Sequence, residues 1–233
     1  MANIFNKIIT KLRETKYRYL FSRSNVRFSS NSTADISHDA KIANSTVIVS
    51  NGKVTIGKNC KLVNASIYIN NGELTLGEGT IVRDCFIEIN DGRVIIGSDT
   101  NILCRHLWVR FGGTLKIGSH TLINKGTEVR ADEYVEIGDY TGISYNVNIW
   151  DTNTHNFLTP EERINHSWLA LEKNRPPTKP IKIGNYCWIG VYSSIMKGSK
   201  LGNNVVVGYH TMLLGQKIED NKTVVQDIGI RIL

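Results

Sequence analysis

The chain has no run of about 20 apolar residues, so no membrane-spanning helix is expected. Its first residues do not read as a secretory leader, because Lys7 and Lys11 interrupt the apolar stretch. Cysteine is scarce. Cys60, Cys85, Cys104 and Cys187 lie far apart with no Cys-x-x-Cys spacing, which argues against a disulfide framework and suits a reducing cytoplasm. The six histidines include no close pair at metal-ligand spacing, so no metal is expected. No Walker-type phosphate loop occurs. Most of the chain also lacks net charge. Of the formal +7, residues 1–30 supply +6, from Lys7, Lys11, Arg13, Lys16, Arg18, Arg23 and Arg27 against Glu14. The near-neutral remainder argues against a nucleic-acid-binding body.

What the chain has is a repeat. Ile56-Gly57-x-x-Cys60 recurs as Leu76-Gly77-x-x-Thr80, Ile96-Gly97-x-x-Thr100, Ile117-Gly118-x-x-Thr121, Ile137-Gly138-x-x-Thr141 and Ile183-Gly184-x-x-Cys187. The first five glycines are 20, 20, 21 and 20 residues apart, a period that marks a solenoid. A shorter beat, an aliphatic residue followed four positions on by a small one, fills the period: Ile36 with Ala40, Ile42 with Thr46, Ile123 with Thr127, Ile143 with Val147, Ile189 with Ser193 and Val207 with Thr211. The segments are rich in Val, Ile and Thr and cut by Gly, Asn and Asp, so strands are expected. Three short strands and three bends per period make a triangular prism with aliphatic residues inward and small residues at the corners. Cys60 and Cys187 take the small-residue place and read as packing residues. Asn51-Gly52, Asn71-Gly72, Asp91-Gly92 and Gly112-Gly113 favour tight turns and predict one enlarged corner repeated up one edge.

This pattern resembles the hexapeptide-repeat acyltransferase family over roughly Ile36 to Leu214. The resemblance implies an all-β fold: a single-stranded left-handed parallel β-helix, assembled as a homotrimer. On this reading residues 1–33 are a basic amphipathic helical segment, residues 34–218 the β-helix with an insert at about 152–180, and residues 219–233 a tail. The first segment spaces Ile4, Phe5, Ile8, Ile9, Leu12, Tyr19 and Leu20 roughly as a helix does, with Asn3 as N-cap. Such a helix either packs on the end of the prism or attaches peripherally to an anionic membrane surface, and both readings stay open.

Between Ile137 and Ile183 the period fails, leaving roughly 26 residues beyond one coil. Long loops on rigid scaffolds are usually functional or disordered. This one carries His155, and its Phe157, Trp168 and Leu171 predict that it packs on something. Thr154-His155, followed by Ile183-Gly184-Asn185-Tyr186-Cys187-Trp188-Ile189-Gly190, looks like the xenobiotic and sugar O-acetyltransferase branch of the family. The resemblance implies acetyl transfer from acetyl-CoA to a sugar hydroxyl, with His155 as general base. The chemistry agrees: a hydroxyl attacking a thioester must lose its proton, and imidazole titrates near neutrality. Asp151 either orients that imidazole or caps a turn.

The resemblance places pantetheine along Trp188, Gly190, Ser193, Ser194, Lys197 and Gly208, although Gly190, Ser193 and Gly208 also fit plain repeat geometry. Trp150, Asn153, His106 and His166 are candidate acceptor contacts, His106 being alternatively a corner residue four after Ile102. His38, His120 and His210 read as surface turns. The family's closing Pro-Ala element has no counterpart here. The implied acceptor is a sugar of a bacterial surface polysaccharide such as capsule or O-antigen, modified in the cytoplasm at the inner membrane face. Transfer to an amino sugar, a zinc-dependent β-helix carbonic anhydrase and a non-catalytic scaffold are the competing readings.

Overall fold

A computed structural model of the chain describes residues 21–157, 159–165 and 175–227. The expected helix in residues 1–20, its membrane role, and His166, Trp168 and Leu171 lie outside the described residues.

Every pairing between the described strands is parallel, and the strands stack into a prism with three faces. The first face is a ten-stranded sheet that begins with Phe21–Ser22, Lys41–Ala43 and Lys61–Val63 and ends with Gly142–Ile143, Trp188–Ile189, Val206–Val207 and Thr223–Val224. The second face includes Asn25–Phe28, Thr46–Ser50, Glu128–Ala131, Asn148–Trp150, Ser194–Met196 and Met212–Leu214. The third includes Thr33–Ile36, Lys53–Ile56, Tyr134–Ile137, Ile181–Ile183 and Lys200–Leu201. Three long strands, Ser66–Leu76, Phe86–Ile96 and His106–Ile117, run round the corner between the second and third faces without a break. That corner is the enlarged one: Asn51, Asn71 and Asp91 all have φ between 50° and 59°.

The inward columns are as the repeat predicts. Leu62, Val82, Ile102, Ile123, Ile143, Ile189 and Val207 stack inside the first face, each with no more than trace exposure. All four cysteines are buried and free. The beat's small residue does more than fit. Thr80 Oγ1 donates to Gly97 O at 2.6 Å, Thr100 to Gly118 O at 2.8 Å, Thr121 to Gly138 O at 2.8 Å and Thr141 to Gly184 O at 2.9 Å. Each hydroxyl also accepts from a backbone N–H one coil on, as Thr121 does from Thr141 at 3.2 Å. Cys60 and Cys187 close the same ladder through sulfur, to Gly77 O and Gly202 O. The ladder glycines allow the coils to approach: a Cβ on Gly97 would stand 2.6 Å from Ser119 N.

The coils extend beyond the span where the repeat is readable. Phe21–Ser22 pairs with Lys41–Ala43, and Asn25–Phe28 with Thr46–Ser50, so strands precede residue 34. At the other end Thr223–Val224 pairs with Val206–Val207, beyond residue 218. Neither end carries the aliphatic-glycine beat. In the early coils the corner between the first and second faces is one residue shorter than expected: Ser45, three after Ile42, is the buried small residue and Thr46 already points outward.

Replacing Thr121 by Val keeps its shape but orphans the Gly138 carbonyl and the Thr141 N–H inside the prism. The expected cost is about 1–3 kcal/mol. Chemical denaturation of Thr121→Val and Thr121→Ser checks this, with Ser recovering most of the loss.

Candidate functional site at the interrupted corner

The insert leaves the prism at the enlarged corner, after the second-face strand Asn148–Trp150, and returns to the third-face strand Ile181–Ile183. Its two ends are tied together. Thr152 and Thr178 form an antiparallel bridge, Asn153 N donates to Pro177 O at 3.1 Å, and Lys179 N donates to Asp151 O at 2.9 Å. Within it, helix α1 (Pro160–Asn165) starts at a reciprocal cap: Thr159 N donates to Glu162 Oε2 and Glu162 N donates to Thr159 Oγ1. The Thr-Pro-x-Glu spelling of that cap was readable in the sequence.

His155 is exposed one residue after a strained turn. Thr154 sits at φ 66°, costly for a β-branched residue, and its N–H is held by Thr152 Oγ1 at 3.0 Å. Asp151 is fully buried just below. Its two carboxylate oxygens accept from three consecutive backbone N–H groups of the preceding coil: Asp132 at 2.9 Å, Glu133 at 2.8 Å and Tyr134 at 2.7 Å. Among the described residues no hydrogen bond joins Asp151 to His155. The carboxylate therefore fixes the root of the insert, the capping alternative of the two the sequence allowed. Burial raises its pKa to about 6, outweighing the three donors that favour the ionised form, and the charge of Asp132 adds to the rise. Glu133 anchors the returning arm: Thr178 Oγ1 donates to it at 2.5 Å and Arg175 pairs with it at 3.1 Å. No local pattern announces this contact across some forty residues.

Trp150 and His106 share the outer side of the second face. Phe86, His106, Glu128 and Asn148 form one outward column, and Tyr68, Glu88, Trp108, Arg130 and Trp150 the next. Arg130 lies between two rings, 4.9 Å from Trp108 and 4.4 Å from Trp150, while Arg110 sits 4.1 Å over Trp108 and pairs with buried Asp132. Buried Glu128 binds both Arg105 and Arg130. His106 is not the corner residue; Cys104 is, fully buried two positions earlier, and His106 stacks on Trp108. Burial, with Arg130 and Arg105 adding, pushes its pKa down to about 4, so it is neutral near pH 7. Asn153 is half-buried at the insert root.

The other candidates spread round the prism. Trp188 is half-exposed on the first face, packed over Gly142, where a Cβ would meet its ring at 2.6 Å. The first face lies opposite the corner that carries His155, so one chain does not bring the two side chains together. Gly190 and Gly208 sit in successive coils, and a Cβ on Gly190 would stand 2.7 Å from Gly208 C. Ser193 is fully buried and donates to Gly208 O at 2.7 Å, a ladder role. Ser194 opens a second-face strand. Lys197 stands at the enlarged corner one coil beyond the insert, next to Gly198, whose Cβ would meet Lys179. His120 and His210 occupy positive-φ turns, and His38 is exposed. Among the described residues no three His, Cys, Asp or Glu side chains are grouped to hold a metal. No described helix is long and apolar enough to cross a membrane.

Residues 180–215 match the family model described as bacterial transferase hexapeptide (six repeats). No curated protein matches the sequence. Among solved structures, the polysialic-acid-specific acetyltransferase NeuO is similar at 21% identity and TM-score 0.52, over 90% of this chain and 84% of that one. A hexapeptide-repeat acetyltransferase of Vibrio cholerae O1 biovar eltor, complexed with acetyl coenzyme A, matches at 22% identity and TM-score 0.44, over 57% of this chain and 66% of that one. The polysialic acid O-acetyltransferase OatWY matches at 23% identity and TM-score 0.36, over 88% and 80%.

Asp151 makes a testable statement about pH. A carboxyl whose pKa rises on folding, from about 4 to about 6, binds its proton more tightly in the folded state, so its contribution to stability falls as pH rises through that window. His106, lowered to about 4, acts oppositely between pH 4 and its ordinary value. Denaturation of wild type and Asp151→Asn from pH 4 to 7 isolates the first group: the stability difference should shift against the wild type as pH rises to about 6, then level. With residues 180–215 matched to that repeat model and its described coils stacked in parallel, the chain has the fold of, and is similar to, the hexapeptide-repeat proteins.

Proposed function

We propose that the chain is an acetyl-CoA-dependent O-acetyltransferase acting on a sugar hydroxyl of a surface polysaccharide or its precursor, with His155 as general base. The observation that carries this reading is the insert. Among the described residues it is the one interruption of the coil, its root is clamped by Asp151 and Glu133, and it presents an exposed imidazole on a strained turn. NeuO, a protein of like fold, is named for a polysaccharide acceptor, and what carries over from it is only that the acceptor is a polymer of sugars, not its charge.

The imidazole takes the hydroxyl proton as the sugar oxygen attacks the thioester carbonyl. The tetrahedral intermediate collapses, the C–S bond breaks, and the imidazolium returns the proton to the departing thiolate. No acyl-enzyme is needed. The site is completed between copies in a homotrimer. On the insert, Phe157 (82%) and Ile164 (84%) are exposed, so among the described residues these two side chains face solvent. At the same level the first face and its two corners display Tyr140, Tyr145, Tyr186, Trp188, Tyr192 and Tyr209, each at least half exposed. An aromatic belt facing solvent opposite a loop with bare apolar side chains fits a neighbour's insert laid on that belt. There Trp188 of one chain flanks the pantetheine arm and His155 of the next reaches the thioester, while Lys179, Lys197, Lys182 and Lys200 line the edge beyond the insert and supply positive charge for the phosphates of CoA. The enzyme works in the cytoplasm, at the inner face of the membrane where such polymers are assembled.

His155→Ala should lower kcat for acetyl transfer by about a hundredfold or more, with thermal unfolding unchanged. A rate within a few-fold of wild type would assign the base elsewhere. Matched hydroxy and amino sugars in the same assay separate O- from N-transfer, and amine preference would overturn the hydroxyl assignment.

A further inference from the structure

Below the insert, on the same enlarged corner, a groove of about 670 Å³ runs from Asn31 to Thr114. One wall is the row Asn51, Asn71 and Asp91, each turned out on a positive-φ residue. The other is the third-face row Thr33, Lys53, Glu73, Arg93 and Thr114, held in register from coil to coil. The next residue in that row is Tyr134, whose N–H is bound by Asp151 at the insert root. The groove thus points along one edge directly at the element that carries His155.

We propose that this groove seats an extended, electrically neutral glycan several units long, feeding the unit to be modified to His155. This rests on the acetyltransferase reading and specifies its acceptor. Stacked strands are about 4.8 Å apart, so the groove spans about 19 Å over four steps, room for a chain rather than a monosaccharide. Extended pyranose chains repeat at a comparable rise, so successive sugars meet the same wall on successive coils. The walls are amides, hydroxyls and balanced charge. Lys53 and Arg93 offset Glu73 and Asp91, Arg93 lies 3.8 Å from Glu73, and Asn71 donates to Asp91 at 3.0 Å. No ring lines it. Such walls recognise hydroxyl groups by hydrogen bonding and offer a polyanion no net attraction.

The test uses the whole protein without acetyl-CoA, binding neutral linear hexose and N-acetylhexosamine chains from disaccharide to octasaccharide, with polysialic acid oligomers of the same lengths as the anionic arm. Affinity for a neutral chain should rise about tenfold from disaccharide to pentasaccharide and then level, above that for the anionic oligomers. Glu73→Trp, which fills the groove midway, and Lys53→Trp, one coil lower, should each remove the gain with length and leave unfolding unchanged. Affinity independent of length, insensitivity to both variants, preference for the anionic chains, or no neutral chain bound would each overturn the proposal. Chain binding without any acetyl transfer would sink the enzymatic reading and leave the groove standing. Transfer indifferent to chain length and to both variants would do the reverse.

Discussion

Everything in this molecule depends on neighbouring coils coming close enough for a corner hydroxyl to reach a glycine carbonyl one coil on. The Thr80, Thr100, Thr121 and Thr141 ladder supplies a hydrogen bond where the strands stop and the backbone would otherwise be left unpaired inside the prism. Glycine is required at Gly77, Gly97, Gly118 and Gly138 because a Cβ there would stand within about 2.6 Å of the next coil's backbone or of a side chain bound to it. The aliphatic columns add apolar burial, but the ladder sets the register, and register decides which side chains share a face. Trp150 and His106 share the second face for that reason, and Thr33 through Thr114 make one wall.

The same constraint explains where function can be inserted. A coil corner bonded to the coils on both sides tolerates no extra residues. The enlarged corner does, because its long strands bend there on Asn-Gly and Asp-Gly pairs. When the insert opens that corner, the bonds it removes must be replaced. Asp151 replaces three at once, and the price is a buried carboxyl with a raised pKa. The clamp ties down the root and leaves His155 exposed a few residues out, as the proposed role of its imidazole requires.

The fold was legible in the sequence because one beat, Ile-Gly-x-x-Thr, encodes both the inward column and the ladder. It faded at the ends: Asn25–Phe28 and Thr223–Val224 stack on the neighbouring coils with no glycine beat to mark them. The break, and the position of His155 beside it, could be read, because a lost period is a signal in itself. The stacking of Arg130 between Trp108 and Trp150 could not, since it joins residues some twenty apart whose adjacency exists only once the register is known. Ser193 could be read either way, and the structure gives its hydroxyl to the ladder. His106 was displaced from the corner because Cys104 fills that place two residues sooner.

The central claim is that one chain holds His155 and Trp188 on opposite sides of the prism, so that the acetyl-transfer site forms only between copies. Co-expression of His155→Ala with Trp188→Ala tests it. Each variant alone should be nearly inactive, and mixed oligomers should recover a substantial fraction of wild-type acetyl transfer, because some interfaces pair an intact imidazole with an intact indole. Mixed oligomers no more active than the sum of the two variants would contradict the account.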